Sequence, residues 1–268
     1  MKKLIIAIVA IIMVVTIAID TPQPLSYQIV ILGDSIVANY NGQDGITTLV
    51  GAGLNKTIFN GAIGGSTLAE HNEQGYETNW YQSLSFAQLS DAIVAKDFTT
   101  QIAAIDQLLV LDFYEERIRD LALINFEEVE VLILEGMVND FALQIDPKEV
   151  EEMLMESIVK LQKKYPELEI ILSTPTYCYI YDETNSYKRY CDNNEDWTYL
   201  LEDYVAVQYA VADTLNLILV DQYYESAITK DTIEYYSDDG LHLSAAGRLV
   251  VSENIINSLQ NADVFEEE

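Results

Sequence analysis

Basic residues are scarce in this chain: 14 Lys and Arg stand against 44 Asp and Glu in 268 residues, a formal net charge of −30. A surface so short of cations cannot neutralise a run of phosphates. That excludes nucleic acid as a partner and disfavours polyanionic polymers and anionic membrane surfaces. The excess acid reads as a solubilising surface. Histidine is scarcer still, with only His71 and His242, so an imidazole base has two candidates. Cysteine is limited to Cys178 and Cys191, whose spacing fits no zinc-binding pattern. No metal and no organic cofactor are expected. Proline occurs five times and marks no linker, and no internal repeat is evident, so the folded part reads as one domain.

What is present includes apolar residues in quantity: 50% of the chain is hydrophobic, enough for one sizeable core. Met1-Lys2-Lys3 precedes an apolar run from Leu4 to Ile19, broken only by Thr16 and closed by Asp20. A positive end followed by such a run suits an export signal, either cleaved or retained as a membrane anchor, and is somewhat short for a spanning helix. The division is therefore residues 1–25 as signal peptide or signal-anchor, 26–262 as the folded domain and 263–268 as an acidic tail. The product is expected to be secreted, or anchored to the outer face of the cytoplasmic membrane. Membrane contact is limited to the N-terminal segment. In that oxidising setting Cys178 and Cys191 are expected to form a disulfide.

Beyond residue 26 short apolar runs alternate with longer amphipathic stretches. Tyr27–Leu32, Lys56–Asn60, Val129–Leu134, Leu168–Ser173 and Asn216–Val220 read as strands. Between and after them, Gly42–Leu54, Ser83–Ala95, Gln101–Val110, Phe113–Ile124, Pro147–Lys164, Trp197–Leu215 and Ser244–Leu259 read as helices. Alternation of this kind predicts an α/β fold, a three-layer α/β/α sandwich around a central parallel sheet of about five strands. Ligand sites in such sheets lie beyond the carboxyl ends of the strands.

The residues of chemical interest sit there. The first strand runs into Gly33-Asp34-Ser35, a turn that presents a hydroxyl at the rim of the sheet. A serine nucleophile needs a base, and His242 lies just before the last helix, in Ser237-Asp238-Asp239-Gly240-Leu241-His242-Leu243-Ser244. A carboxylate three residues earlier, across a glycine turn, can reach the imidazole Nδ1–H and hold its tautomer, a spacing that favours Asp239 over Asp238. The negative charge that forms on an attacked carbonyl needs donors. Asn60-Gly61-Ala62-Ile63-Gly64-Gly65-Ser66-Thr67 and Glu135-Gly136-Met137-Val138-Asn139-Asp140 follow the second and third strands and supply candidates.

Taken in order, these four segments resemble the SGNH hydrolase (GDSL-type esterase/lipase) family, named for its Ser, Gly, Asn and His. The resemblance spans most of residues 27–259 and rests on four short blocks. It implies the flavodoxin-like SGNH fold. It also implies Ser35 as nucleophile and His242 as base, with Asp239 as its partner. The implied oxyanion hole consists of the Ser35 N–H, the Gly65 N–H and the Asn139 side chain. Two positions depart from the family pattern: Met137 stands where glycine is usual, and the first block reads Gly-Asp-Ser-Ile rather than Gly-Asp-Ser-Leu. Neither removes a reacting group.

The activity this implies is a serine esterase acting on short acyl esters, acetyl foremost, carried by a carbohydrate or cell-envelope glycan. The partner is then a small ester or acylated glycan. An acyltransferase on the same site and a non-catalytic surface carbohydrate-binding protein are the alternatives. His71, after the glycine block, and Tyr179 and Tyr181, in the tyrosine-rich segment after the fourth strand, are candidate substrate contacts.

Overall fold

The computed structural model describes residues 23–70, 80–107, 112–182 and 184–265. Residues 1–22 of the expected export segment, His71 and the Glu266–Glu268 end of the tail lie outside the described residues. Among the described residues no helix is long and apolar enough to cross a membrane.

The elements in chain order are β1 (Ile29–Leu32), α1 (Ser35–Ala38), α2 (Ile46–Leu54), β2 (Ile58–Asn60), α3 (Trp80–Ser83), α4 (Phe86–Ala95), α5 (Thr99–Gln107) and α6 (Asp112–Leu121). There follow β3 (Val131–Glu135), α7 (Val138–Ala142), α8 (Pro147–Lys164), β4 (Glu169–Ser173), β5 (Tyr179–Tyr181), β6 (Lys188–Tyr190), α9 (Leu201–Leu215), β7 (Ile218–Val220), α10 (Ile233–Tyr236) and α11 (Ala245–Asn261). Five strands form one parallel sheet in the order β2-β1-β3-β4-β7. This is the flavodoxin-like order, and it puts β1 and β3 side by side at the centre. Both strands are buried along their whole length, so each needs apolar side chains on both faces. Ile-Val-Ile-Leu and Val-Leu-Ile-Leu meet that need.

Two helix groups flank the sheet, α2 packed on α11, and α4 on α8 on α9. Helix α8 shows why these segments are helical. Asp146 caps it by accepting the Lys148 N–H at 2.9 Å, Pro147 opens the first turn, and Lys163 and Lys164 face the negative end of the dipole. Val150, Leu154, Ser157, Ile158 and Leu161 form its buried stripe at helical spacing.

The five predicted strands all form. The antiparallel pair β5–β6, with Tyr179 opposite Tyr190, was not anticipated. Its strands are three residues each, too short for a period to register in sequence.

The predicted disulfide is not formed: Cys178 and Cys191 are free thiols, both buried. They flank the β5–β6 pair, and the Cys191 N–H donates to the Cys178 carbonyl at 3.1 Å. The Cys191 sulfur accepts the Cys178 N–H at 3.4 Å. A hydrogen bond to Cys191, then burial, holds the Cys178 thiol well above its ordinary pKa. The pair is thus a buried, hydrogen-bonded unit that closes the base of the hairpin.

Candidate active site

Ser35 opens α1 directly after β1. Asp34 caps that turn, its Oδ1 accepting the Ile36 N–H at 2.9 Å. Gly33 is required for close approach: a Cβ there would lie 2.8 Å from the Glu135 carbonyl oxygen and 3.0 Å from Glu135 Oε2. Larger residues would push β1 and β3 apart just where the hydroxyl is presented.

The loop after β2 is tied to the same turn. The Ile63 N–H and the Ser66 hydroxyl both donate to the Gly33 carbonyl at 2.9 Å. Gly65 has φ +82°, the left-handed region that favours glycine, and is partly exposed beside this turn. The loop after β3 then joins the loop after β2, with Asn139 Nδ2 donating to the Ser66 carbonyl at 2.8 Å. One amide hydrogen of Asn139 is committed to that bond, which fixes the plane in which the other is offered. Buried Asp140 completes the joint by accepting the Leu68 and Ala69 N–H groups at 2.9 and 3.0 Å.

His242 arrives from the turn before α11. Its Nε2 is 3.0 Å from Ser35 Oγ, and its Nδ1 is 2.7 Å from Asp239 Oδ2. The other Asp239 oxygen accepts the backbone N–H groups of Leu241 and His242 at 3.0 and 2.7 Å. One carboxylate therefore both shapes the turn and orients the ring. Partial burial works against its ionisation, but hydrogen bonds from His242 and Leu241 outweigh burial and hold Asp239 below its ordinary pKa. Asp238 takes another role, accepting the Tyr40 hydroxyl at 3.1 Å.

This order of hydroxyl, imidazole and carboxylate, with the Asn139 amide tied to the loop beside it, is what an acyl-transfer site requires. The GDSL-like lipase/acylhydrolase family model matches residues 29–255. The chain belongs to this family. It is an ester-hydrolysing serine hydrolase of the SGNH type.

Solved structures similar to this GDSL hydrolase share its fold. Est24, a carbohydrate acetylesterase from Sinorhizobium meliloti, superposes with a TM-score of 0.56 at 12% identity, covering 87% of this chain and 98% of its own. A possible lipase from Chitinophaga pinensis gives 0.55 at 14% identity, with 89% and 100% covered. A Lactobacillus plantarum protein gives 0.57 at 17% identity, with 88% and 98% covered. No curated protein matches the chain by sequence.

Of the residues singled out in the GDSL hydrolase's sequence, Ser35, Asp239 and His242 meet directly, and Asn139 and the Gly65 loop join them through Ser66. Tyr179 is placed differently from a solvent-facing substrate contact. It is 3% exposed, its N–H donates to the Gly240 carbonyl at 2.9 Å, and its ring covers Gly240 so closely that a Cβ would sit 2.2 Å from it. The β5–β6 hairpin is thereby clamped on the turn that carries His242. Tyr181, next along the hairpin, is 38% exposed and makes an edge contact with the Tyr179 ring.

Three contributors escaped sequence reasoning. Asp140 follows Asn139 in the family block, and that adjacency was its only signal. Arg248 donates to the Leu243 and Asp44 carbonyls at 2.6 and 2.9 Å, stacks 3.7 Å over Tyr40 and pairs with the Asp44 carboxylate, pinning the His242 turn to the start of α2. Glu135, buried under Gly33, left no signal beyond an acid at the end of an apolar strand.

Proposed function

We propose that Ser35 is the nucleophile of an esterase that cleaves short acyl esters, acetyl foremost, from a carbohydrate. The observation that carries this reading is the 3.0 Å contact of Ser35 Oγ with His242 Nε2, backed by Asp239 on the far side of the ring. Neutral His242 takes the hydroxyl proton as Oγ attacks the ester carbonyl, and Asp239 stabilises the imidazolium that forms. The oxyanion is held by the Ser35 and Gly65 N–H groups and the free amide hydrogen of Asn139. Imidazolium protonates the departing alcohol, leaving an acyl-Ser35 ester. Water then attacks with His242 as base, releasing the acid and restoring the hydroxyl.

A carbohydrate alcohol is supported by the aromatic surroundings. Tyr181, Tyr187 and Tyr235 are 38, 50 and 70% exposed on the hairpin and α10, which an ion pair between Lys188 and Glu234 joins. Rings of this kind stack on sugar faces. The formal charge of −30 disfavours strongly anionic substrates. Export, read from the Lys2-Lys3 start and the Leu4–Ile19 run, belongs to the same proposal and is checked by cell fractionation.

The test is a panel of p-nitrophenyl acetate, butyrate and octanoate beside acetylated xylo-oligosaccharides, with free acetate and acylated products both measured. The reading requires the acetyl substrates to lead and free acetate to accumulate. Transfer of acetyl to an added sugar in place of release would identify an acyltransferase. Saturable sugar binding without turnover would identify a binding protein.

A further inference from the structure

Two carboxyl groups that the reaction above does not use lie directly beneath the nucleophile. Glu135 ends β3 and is 3% exposed; Asp34 is 1% exposed. The Asp34 backbone N–H lies against the Glu135 carboxyl and favours its charged form, more weakly than burial and the Asp34 carboxyl oppose it. Yet Asp34 Oδ2 and Glu135 Oε2 are both buried with no hydrogen-bond partner. Both residues line a small cavity with Gly33, Ser66, Leu68 and Met137 that has room for about one water molecule. Across the sheet Glu135 is the register partner of Ser173, whose buried Oγ is also unpartnered. No cation is recorded against either acid among the described residues. The titratable groups facing the pair are Asp140 from α7, His242 from the turn before α11, and Cys178 at the foot of the hairpin.

Two carboxylates that line one buried cavity with no counter-cation among the described residues cannot both be ionised without large cost. We propose that Glu135 is a positioning residue for Ser35: as a neutral acid it anchors the Asp34 amide, fills the space left by Gly33 and keeps a second negative charge away from the forming oxyanion. This rests on the esterase reading for its functional half. The neutral role falls to Glu135 rather than Asp34, because Asp34 Oδ1 already accepts the α1 cap and His242 favours the charged form of Asp34. Burial, then the neighbouring Asp34, pushes the Glu135 carboxyl well above its ordinary value, in agreement. Gly33 then has a second meaning. The glycine of the Gly-Asp-Ser turn is needed here because a carboxyl group occupies the Cβ position.

The test compares the full chain with Glu135→Gln, which preserves shape and neutrality, and Glu135→Leu, which removes the acceptor. Ser35→Ala serves as blank. The first readout is the infrared carbonyl band of protonated carboxyl groups at about pH 8, where ordinary side-chain carboxyls are ionised. The parent should show that band, and Glu135→Gln should lose intensity from it. The second readout is the rate at which a fluorophosphonate modifies Ser35, which needs no substrate assignment. Labelling of Glu135→Gln should stay within about 3-fold of the parent, and that of Glu135→Leu should fall at least about 10-fold, the scale of a misplaced reacting group. Glu135→Leu labelling at the parental rate, Glu135→Gln as slow as Leu, or an unchanged infrared band would each overturn the proposal. If Leu does not fold, Gln and the band still decide it. A parent that labels no faster than Ser35→Ala would remove the esterase reading and the positioning role with it, whereas the band reports on the neutral acid independently.

Discussion

His242 Nε2 and Ser35 Oγ lie 3.0 Å apart although 207 positions separate them in the chain. The first is delivered by the turn before α11 and the second by the turn after β1. Their meeting depends on the packing of α11 beside the sheet and on Arg248, which ties the two regions together through Asp44 and Tyr40. The hydrogen bond is therefore a report on the whole fold.

Asp239 separates orientation from shape. In Asp239→Asn the side-chain oxygen still accepts the Leu241 and His242 N–H groups, so the turn survives while the charge and the ring tautomer are lost. We expect kcat to fall by about 10²–10⁴ with a melting temperature close to the parent. Asp239→Ala should lose as much activity and melt lower, because it also empties the two backbone bonds. Initial rates beside thermal melts check both.

Asn139 donates to the Ser66 carbonyl with one hydrogen, which leaves the other for the oxyanion in the proposed mechanism. Asn139→Ala should lower kcat by about 10²–10³, the usual cost of one oxyanion donor, with KM little changed. A rise in KM at constant kcat would place Asn139 in ground-state binding.

Gly240 has φ +90° and lies under the Tyr179 ring. Gly240→Ala forces a methyl group into that ring and should cost more than 10-fold in activity by shifting His242, on the scale expected of about 1 Å of misplacement. Removing the ring as well, in Gly240→Ala with Tyr179→Ala, should recover part of the loss. Strictly additive losses would mean that Tyr179 does not position the turn.

Burial is the main reason Asp34 is pushed up to about 7 from 3.8, with Asp140 adding to the rise and the Ile36 N–H and His242 opposing it. The folded state then holds this proton more tightly than the unfolded chain. Its stabilising contribution is complete below about pH 4 and is lost as pH rises through about 7. The melting temperature of the parent, relative to Asp34→Asn, should fall across that window. A relative melting temperature that stays level or climbs would contradict the buried-acid account.

Met137 stands where the family usually has glycine and has φ +91°, with its side chain 1% exposed. Met137→Gly relieves about 1–3 kcal/mol of backbone strain but empties a buried site worth about 2–5 kcal/mol. A net loss of about 1–2 kcal/mol in denaturant unfolding is expected, because the cavity outweighs the strain. A gain would mean that the side chain packs poorly.

The sequence made the parallel sheet and the Ser35, Asp239 and His242 set legible because each signal is local. Strands β1 and β3 are unbroken apolar runs, and Asp239 reaches His242 within one turn. The Gly65 and Asn139 blocks were legible through their place after strands. Other features depend on distant packing. Tyr179 reads as an exposed aromatic until the hairpin folds it onto Gly240. Cys178 and Cys191 read as a disulfide until burial and backbone bonds around their thiols are seen. Glu135 acquires its meaning only when β1 brings Gly33 against it.

The most direct test of the account is p-nitrophenyl acetate hydrolysis by the full chain beside Ser35→Ala. The account predicts turnover by the parent, with acetyl trapped on Ser35 in the mass spectrum of quenched enzyme, and near-complete loss in the mutant. Equal hydrolysis by both folded proteins, or an acetyl group trapped elsewhere, would contradict it.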